Sequence, residues 1–142
     1  MNNFINSQFE VYKAKNTLYG DSFTKSLSKW GDVAFAVRIE DKLNRIQQLL
    51  TNKDFSKELK IVNDEKIEDS VKDLFNYCAM YRTYLLNDDI QDSMRIIIVE
   101  ISQLRRILFE TYQGDIHILQ PGSIDDENLF ANIVKILNSF IS

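Results

Sequence analysis

Four oxygen-bearing side chains recur on one face of a helix that is predicted to begin near residue 64. Because successive helical residues turn by about 100°, these side chains fall within roughly 80° of one another. Carboxylate and amide oxygens are the ligands that Mg²⁺ prefers, so the face could hold a metal ion. The alternative is a solvated acidic face, which the helix dipole favours near a helix N-terminus. The four residues are Glu65, Asp69, Asp73 and Asn76.

The same face becomes apolar towards the end of this predicted helix. Met80 and Tyr84 continue the line of the acidic residues, and Tyr77 flanks it. An apolar continuation predicts that another element covers this face. Carboxylates under such cover would repel one another unless a cation lay between them.

The preceding predicted helix carries a second polar face. Asp41 and Asn44 are spaced i, i+3, so their oxygens can converge, and Arg38 and Arg45 flank them. Ala34 and Val37 extend this side towards the helix start and again suggest cover. Arginine is well suited to phosphate. The alternative is pairing of Asp41 with one of the two arginines within the helix.

The elements that must position these faces are predicted from apolar spacing. Apolar residues recur at intervals of three and four, which indicates helices, and glycine or polar clusters separate them. The sequence contains 4 glycines and 1 proline. We therefore predict an all-α bundle of five to six helices that forms one domain over residues 1–142. The predicted helices are 4–15, 22–30, 32–50, 64–86, 90–112 and a last one from Ser123 or Asp125 to 141.

Composition excludes several functions. Hydrophobic residues make up 44% and charged residues 27%, which is typical of a globular domain. The net charge of −4 argues against binding to a nucleic acid polymer, which requires a basic surface. The N-terminus lacks a signal-peptide pattern, and the longest aliphatic run, 96–99, is far too short to span a membrane. We expect a cytoplasmic protein. Cys78 is expected to be a buried apolar residue, and His117 has no cysteine or second histidine as a zinc partner.

Three ordered blocks, residues 15–23, 37–46 and 63–77, resemble a phage-associated family called the nucleotide-modification-associated domain. That family is similar to the MazG-like all-α nucleoside triphosphate pyrophosphatases. The resemblance covers roughly residues 10–80 and leaves 88–142 without an assigned function. It implies a MazG-like helical fold, Mg²⁺ held by two acidic motifs, cleavage of a nucleoside triphosphate to monophosphate and pyrophosphate, and assembly as a homo-oligomer, either a dimer or a tetramer.

The resemblance also implies residue roles. Asp41 and Asn44 take the place of the first acidic motif, and Glu65, Asp69 and Asp73 take that of the second. These five are the implied Mg²⁺ ligands, and the four carboxylates are the implied catalytic residues. The implied substrate-binding residues are Tyr19, Gly20, Asp21, Ser22, Arg38, Lys42, Arg45 and Asn76.

Two departures from the family pattern keep three hypotheses open. Asn44 replaces a carboxylate, and the spacing of Asp69 and Asp73 is i, i+4 rather than i, i+3. The first hypothesis is a Mg²⁺-dependent nucleoside triphosphate pyrophosphatase. The second is a protein that binds and sequesters a nucleotide, or a signal derived from one, without cleaving it. The third is a structural helical protein whose acidic faces are solvated.

Overall fold

The computed structural model describes residues 2–51, 67–109 and 126–141, and every regular element within them is a helix. The prediction of an all-α fold is therefore confirmed. No described helix is both long enough and apolar enough to cross a membrane. The helices in these ranges are α1 (Asn2–Tyr19), α2 (Ser22–Trp30), α3 (Asp32–Thr51), α4 (Ile67–Leu86), α5 (Ile90–Val99), α6 (Ile101–Arg105) and α7 (Asp126–Ile141).

The helix boundaries differ from the predicted ones at two places. α1 continues to Tyr19, and only Gly20 and Asp21, both with left-handed backbone angles, separate it from α2. The single helix predicted over 90–112 is interrupted at Glu100, whose φ of −114° and ψ of 80° are not helical. Residues 106–109 then form a π-helical turn. The apolar spacing continues across Glu100, so the pattern does not reveal the break.

Helices α3 and α4 form the centre of the fold and run antiparallel. Near the start of α3, the ring of Phe35 stacks on Tyr81 at 3.9 Å between centroids. The Tyr81 hydroxyl also donates to Asp32 at 2.8 Å. Further along α3, the Lys42 ammonium donates to Asp73, near the start of α4, at 3.1 Å. Apolar contact, an aromatic stack and a charged pair therefore fix the register of the two helices.

The first two helices and α7 pack around this pair through aromatic contacts. On α1, the Phe4 ring lies 5.2 Å from Phe75 and 5.6 Å from Phe140 of α7. On α2, Phe23 lies 5.0 Å from Tyr77. These ring contacts join both α1 and α2 to α4.

Candidate functional site

A pocket of about 370 Å³ opens between the first four helices. This volume is within the range of small-molecule sites, roughly 300–1,000 Å³. α4 contributes one continuous strip of its surface to the pocket, Asp73, Asn76, Tyr77 and Met80. The predicted cover is present over this part of the α4 face, where it consists of α1 and α2. It does not extend to Tyr84, which is 42% exposed.

The cover brings aromatic and basic side chains to the pocket. On α1, the lining residues Tyr12, Lys15, Asn16 and Tyr19 recur at helical spacing. This stripe is a signal in the sequence, but a predicted end of α1 near residue 15 hid it. α2 contributes Ser22 and Phe23, and α3 contributes Arg38.

Five of the residues that the sequence nominated meet at this pocket. They come from four different helices, so only the tertiary fold brings them together. They are Tyr19, Ser22, Arg38, Asp73 and Asn76.

Two lysines neutralise the carboxylate of Asp73. The ammonium of Lys42 lies 3.1 Å from one oxygen and that of Lys15 lies 3.5 Å from the other. The Lys42 side chain is only 13% exposed, and that of Asp73 is 31% exposed. Limited contact with solvent strengthens the Lys42–Asp73 pair compared with a fully exposed one, whereas the Lys15 side chain is 56% exposed. Asp73 is therefore placed to bind cationic side chains of its own protein.

The other nominated half of the site lies on the outside of the bundle. Asp41 pairs with Arg45 on the same helix at 3.4 Å, and both side chains are about half exposed. Asn44 and Val37 are exposed as well. On α3 the alternative, pairing within the helix, is therefore observed. Among the described residues the predicted cover does not reach Val37, which is 56% exposed, whereas Ala34 is partly buried. α3 approaches Asp73 through Lys42, the residue after Asp41.

The described residues contain only part of the predicted Mg²⁺ site, which therefore stays a prediction. Asp69 is exposed, and Glu65 lies outside the described residues. The lining residues that the structure describes include one carboxylate, which has two ammonium partners. No group of three or more histidine, cysteine, aspartate or glutamate side chains within 2–51, 67–109 and 126–141 is placed to hold a metal ion. The donor set that the pocket does contain suits an anion better than Mg²⁺.

The connection between α1 and α2 places Ser22 at the pocket. Gly20 and Asp21 adopt φ angles of 63° and 55°, and at Gly20 a side chain would be strained in this conformation. The Asp21 side chain makes no capping hydrogen bond to α2. Its Oδ1 is buried, and it finds no hydrogen-bond partner among the described residues. Gly20 and Asp21 thus shape the turn and are not part of the pocket lining.

Asn76 is the most buried polar residue of the lining. The residue is 7% exposed, and no described donor reaches its carbonyl oxygen, Oδ1. Most buried polar atoms in proteins have a hydrogen-bond partner, so this atom requires a physical explanation.

Cys78 lies on the opposite, core-facing side of α4 and is fully buried. Burial raises the pKa of its thiol well above the usual range, because the charged thiolate would lose its hydration. The thiol is therefore unsuited to nucleophilic chemistry at neutral pH, and its expected role as a buried apolar residue is confirmed. His117 lies outside the described residues.

Comparison with protein-family models, with curated proteins and with solved structures finds no match to the chain. The MazG-like type therefore stays an implication of the sequence resemblance. The function must therefore be inferred from the residues that line the pocket.

Proposed function

We propose that the protein binds a nucleotide in the pocket between α1, α2, α3 and α4. The observation that carries this proposal is that basic side chains and aromatic rings line one concave surface. Lys15 and Arg38 are suited to the phosphate, and Tyr12, Tyr19 and Tyr77 are suited to the base.

The phosphate part of the proposal rests on charge. Arg38 lines the pocket and forms no ion pair with any residue that the structure describes. Its planar guanidinium can donate two parallel hydrogen bonds to a phosphate. Lys15 and Lys42 share the single carboxylate of Asp73. The local charge is therefore positive, although the whole chain carries −4.

The base part of the proposal rests on the rings. Base–aromatic stacking contributes about 1–3 kcal/mol per base in other proteins. Phe23 is buried and packs against Tyr77 at 5.0 Å between centroids, which limits the orientations that Tyr77 can adopt. Tyr12 and Tyr19 lie about two helical turns apart, on the same side of α1. Any nucleobase can stack on such side chains, because stacking does not depend on which hydrogen-bonding groups the base carries.

Binding without cleavage fits the described residues better than hydrolysis does. Hydrolysis through Mg²⁺ requires carboxylates free to ligate it, whereas the lysines already neutralise Asp73. The Mg²⁺-dependent pyrophosphatase stays a prediction that includes Glu65. A purely structural role would leave the pocket unused. Assembly as a dimer or tetramer also stays a prediction, which analytical ultracentrifugation would test.

The direct test is calorimetric titration with the common nucleoside mono-, di- and triphosphates in EDTA. We expect at least one to bind, and we expect Arg38→Gln to weaken it about tenfold to a hundredfold, the usual effect of losing a charge-assisted hydrogen bond. Arg95→Gln is the matched control, because Arg95 is an exposed arginine on α5 that pairs with Asp92. Failure of every nucleotide to bind would refute the proposal.

Asp73→Asn separates the two modes of phosphate binding. If the lysines bind phosphate directly, removing their carboxylate partner frees them, and nucleotide binding in EDTA becomes tighter. If Asp73 instead holds Mg²⁺, the same variant binds more weakly in Mg²⁺ and loses any turnover. Chromatography of the nucleotides after incubation with Mg²⁺ shows whether a product forms.

A further inference from the structure

Asn76 lines the pocket, is deeply buried, and has an unpaired hydrogen-bond acceptor. The residue is 93% buried, since its exposed fraction is 7%, and no donor in the described part of the chain reaches Oδ1. Its neighbours on the pocket strip of α4 are Tyr77 and Met80, which offer no donor at that oxygen. The Asn76 amide is thus the polar group of the lining that is most able to select one ligand over another.

An unpaired buried carbonyl destabilises the protein that contains it. A ligand group that donates to this oxygen removes that penalty, and a ligand without a donor leaves it in place. Sites that present a buried polar group to one chemical feature therefore discriminate strongly against analogues lacking that feature.

The acceptor also indicates which part of a ligand it meets. A phosphate oxygen is itself an acceptor, so it gains nothing from Oδ1. The ring N–H and exocyclic amino groups of nucleobases are donors, and asparagine side chains pair with such base edges in other proteins. Arg38 and Lys15 meet the anionic part of the ligand at the same pocket.

We propose that Asn76 determines specificity in this pocket by accepting a hydrogen bond from an N–H group of the base. This inference rests on the proposed nucleotide binding. It adds that the ligand carries a donor on its base edge, and that a baseless sugar phosphate is a poor ligand. Asn76, which recognises the base, and the cations that bind the phosphate are then separate groups of one site.

The test compares two ligands on two proteins. The first ligand is whichever common nucleotide binds the wild type most tightly, and the second is its isostere in which the base N–H donor is replaced by C–H. We expect the wild type to bind the isostere about tenfold to a hundredfold more weakly, the usual effect of one lost hydrogen bond that leaves a buried acceptor unpaired. Equal affinity of the wild type for both ligands overturns the inference without any variant.

Asn76→Leu is the second protein of this comparison, which forms a double-mutant cycle between the side chain and the ligand group. We expect this variant to bind both ligands equally and to bind ribose 5-phosphate as the wild type does. Equal loss of nucleotide and ribose 5-phosphate affinity in Asn76→Leu would assign Asn76 to shaping the pocket and overturn the inference. Asn6→Leu, the same change at an exposed position of α1, is the control.

The same titrations distinguish this inference from the function on which it rests. If ribose 5-phosphate binds the wild type and nucleotides bind no tighter, the phosphate site stands and the role of Asn76 is wrong. If neither class of ligand binds the wild type, the proposed function is wrong as well.

Discussion

The pocket face of α4 and the outer face of α3 have nearly the same chemistry and different surroundings. Both carry aspartate and asparagine at i, i+3, Asp73 with Asn76 and Asp41 with Asn44. On α4 these side chains lie beneath α1 and α2, where Asp73 binds two lysines. On α3 they face outwards, where Asp41 pairs within its own helix.

This comparison shows that an arrangement of polar residues on one helix does not define a site. A covered polar group loses water and must find a partner or a ligand, whereas an exposed one satisfies itself with solvent. Asn76 is buried and Asn44 is exposed, although both stand three residues after an aspartate. The covering helices create the difference.

The largest expected effect comes from loosening the cover. Phe4→Ala removes the ring that joins α1 to Phe75 and Phe140, and a buried phenylalanine truncated to alanine costs about 3 kcal/mol. Urea unfolding should report this loss, and amide hydrogen exchange should increase along α1. Val37→Ala on the uncovered face of α3, where the side chain is 56% exposed, should change stability by less than about 0.5 kcal/mol. Equal effects of the two variants would contradict the contrast.

The charged pair on the covered face should likewise contribute more to stability than the pair on the exposed face. Lys42→Gln leaves the half-buried Asp73 with Lys15 alone, a more exposed partner at 3.5 Å, and we expect it to cost about 1–2 kcal/mol. Arg45→Gln removes a solvent-exposed pair and should cost less than about 0.5 kcal/mol. Chemical denaturation of both variants at low and high salt measures the difference. If the two variants are equally destabilised, cover does not strengthen the pair on α4.

The core face of α4 supplies a third environment for comparison. The raised pKa of Cys78 means that the folded state keeps the thiol protonated after the unfolded chain has ionised. Its contribution to stability is complete below the unfolded pKa, about 8.5, and it is lost as the pH rises from there towards the folded pKa.

Between pH 8.5 and 9.5 we expect this contribution to fall by about 1 kcal/mol. Denaturation curves at both pH values measure the loss, and Cys78→Ala should lose less over the same interval. Identical pH dependence of the two proteins would show that Cys78 ionises similarly in the folded and unfolded states.

The smallest expected effect is that of Mg²⁺ alone. On the pocket face, two lysines already neutralise Asp73, so we expect Mg²⁺ to bind it weakly. On the outer face, Asp41 already pairs with Arg45. Melting temperatures of the nucleotide-free protein in Mg²⁺ and in EDTA should coincide. Stabilisation by Mg²⁺ that disappears in Asp69→Ala would restore the metal site, because a ligand stabilises only the chain that binds it.

The all-α class and most of the core could be predicted because apolar residues repeat with the helical period. The buried side of α3, for example, carries Phe35, Ile39, Leu43 and Ile46, all of which the spacing identifies. Local signals also located the turns at Gly20 and Gly31, where the backbone adopts positive φ angles. They could not locate the break at Glu100, since the core-facing periodicity continues through it.

The members of the pocket were only partly predictable. The sequence nominated Asp73 and Asn76 as one face, yet it ranked Asp41 and Asn44 equally, because side-chain type and spacing are local properties. It also nominated Lys42 as a substrate-binding residue, and this lysine lies beside the pocket, where it pairs with Asp73.

The tertiary structure alone decided which polar face is covered, and by which helices. Cover depends on contacts between residues far apart in the chain, such as Phe4 with Phe75 and Phe23 with Tyr77. In the packed structure Asn76 is buried and Asn44 is exposed. The sequence by itself determined the helices and the chemistry that each face carries. The packing of α1 and α2 determined where that chemistry is removed from solvent, because burial is a property of the assembled fold and not of any one helix.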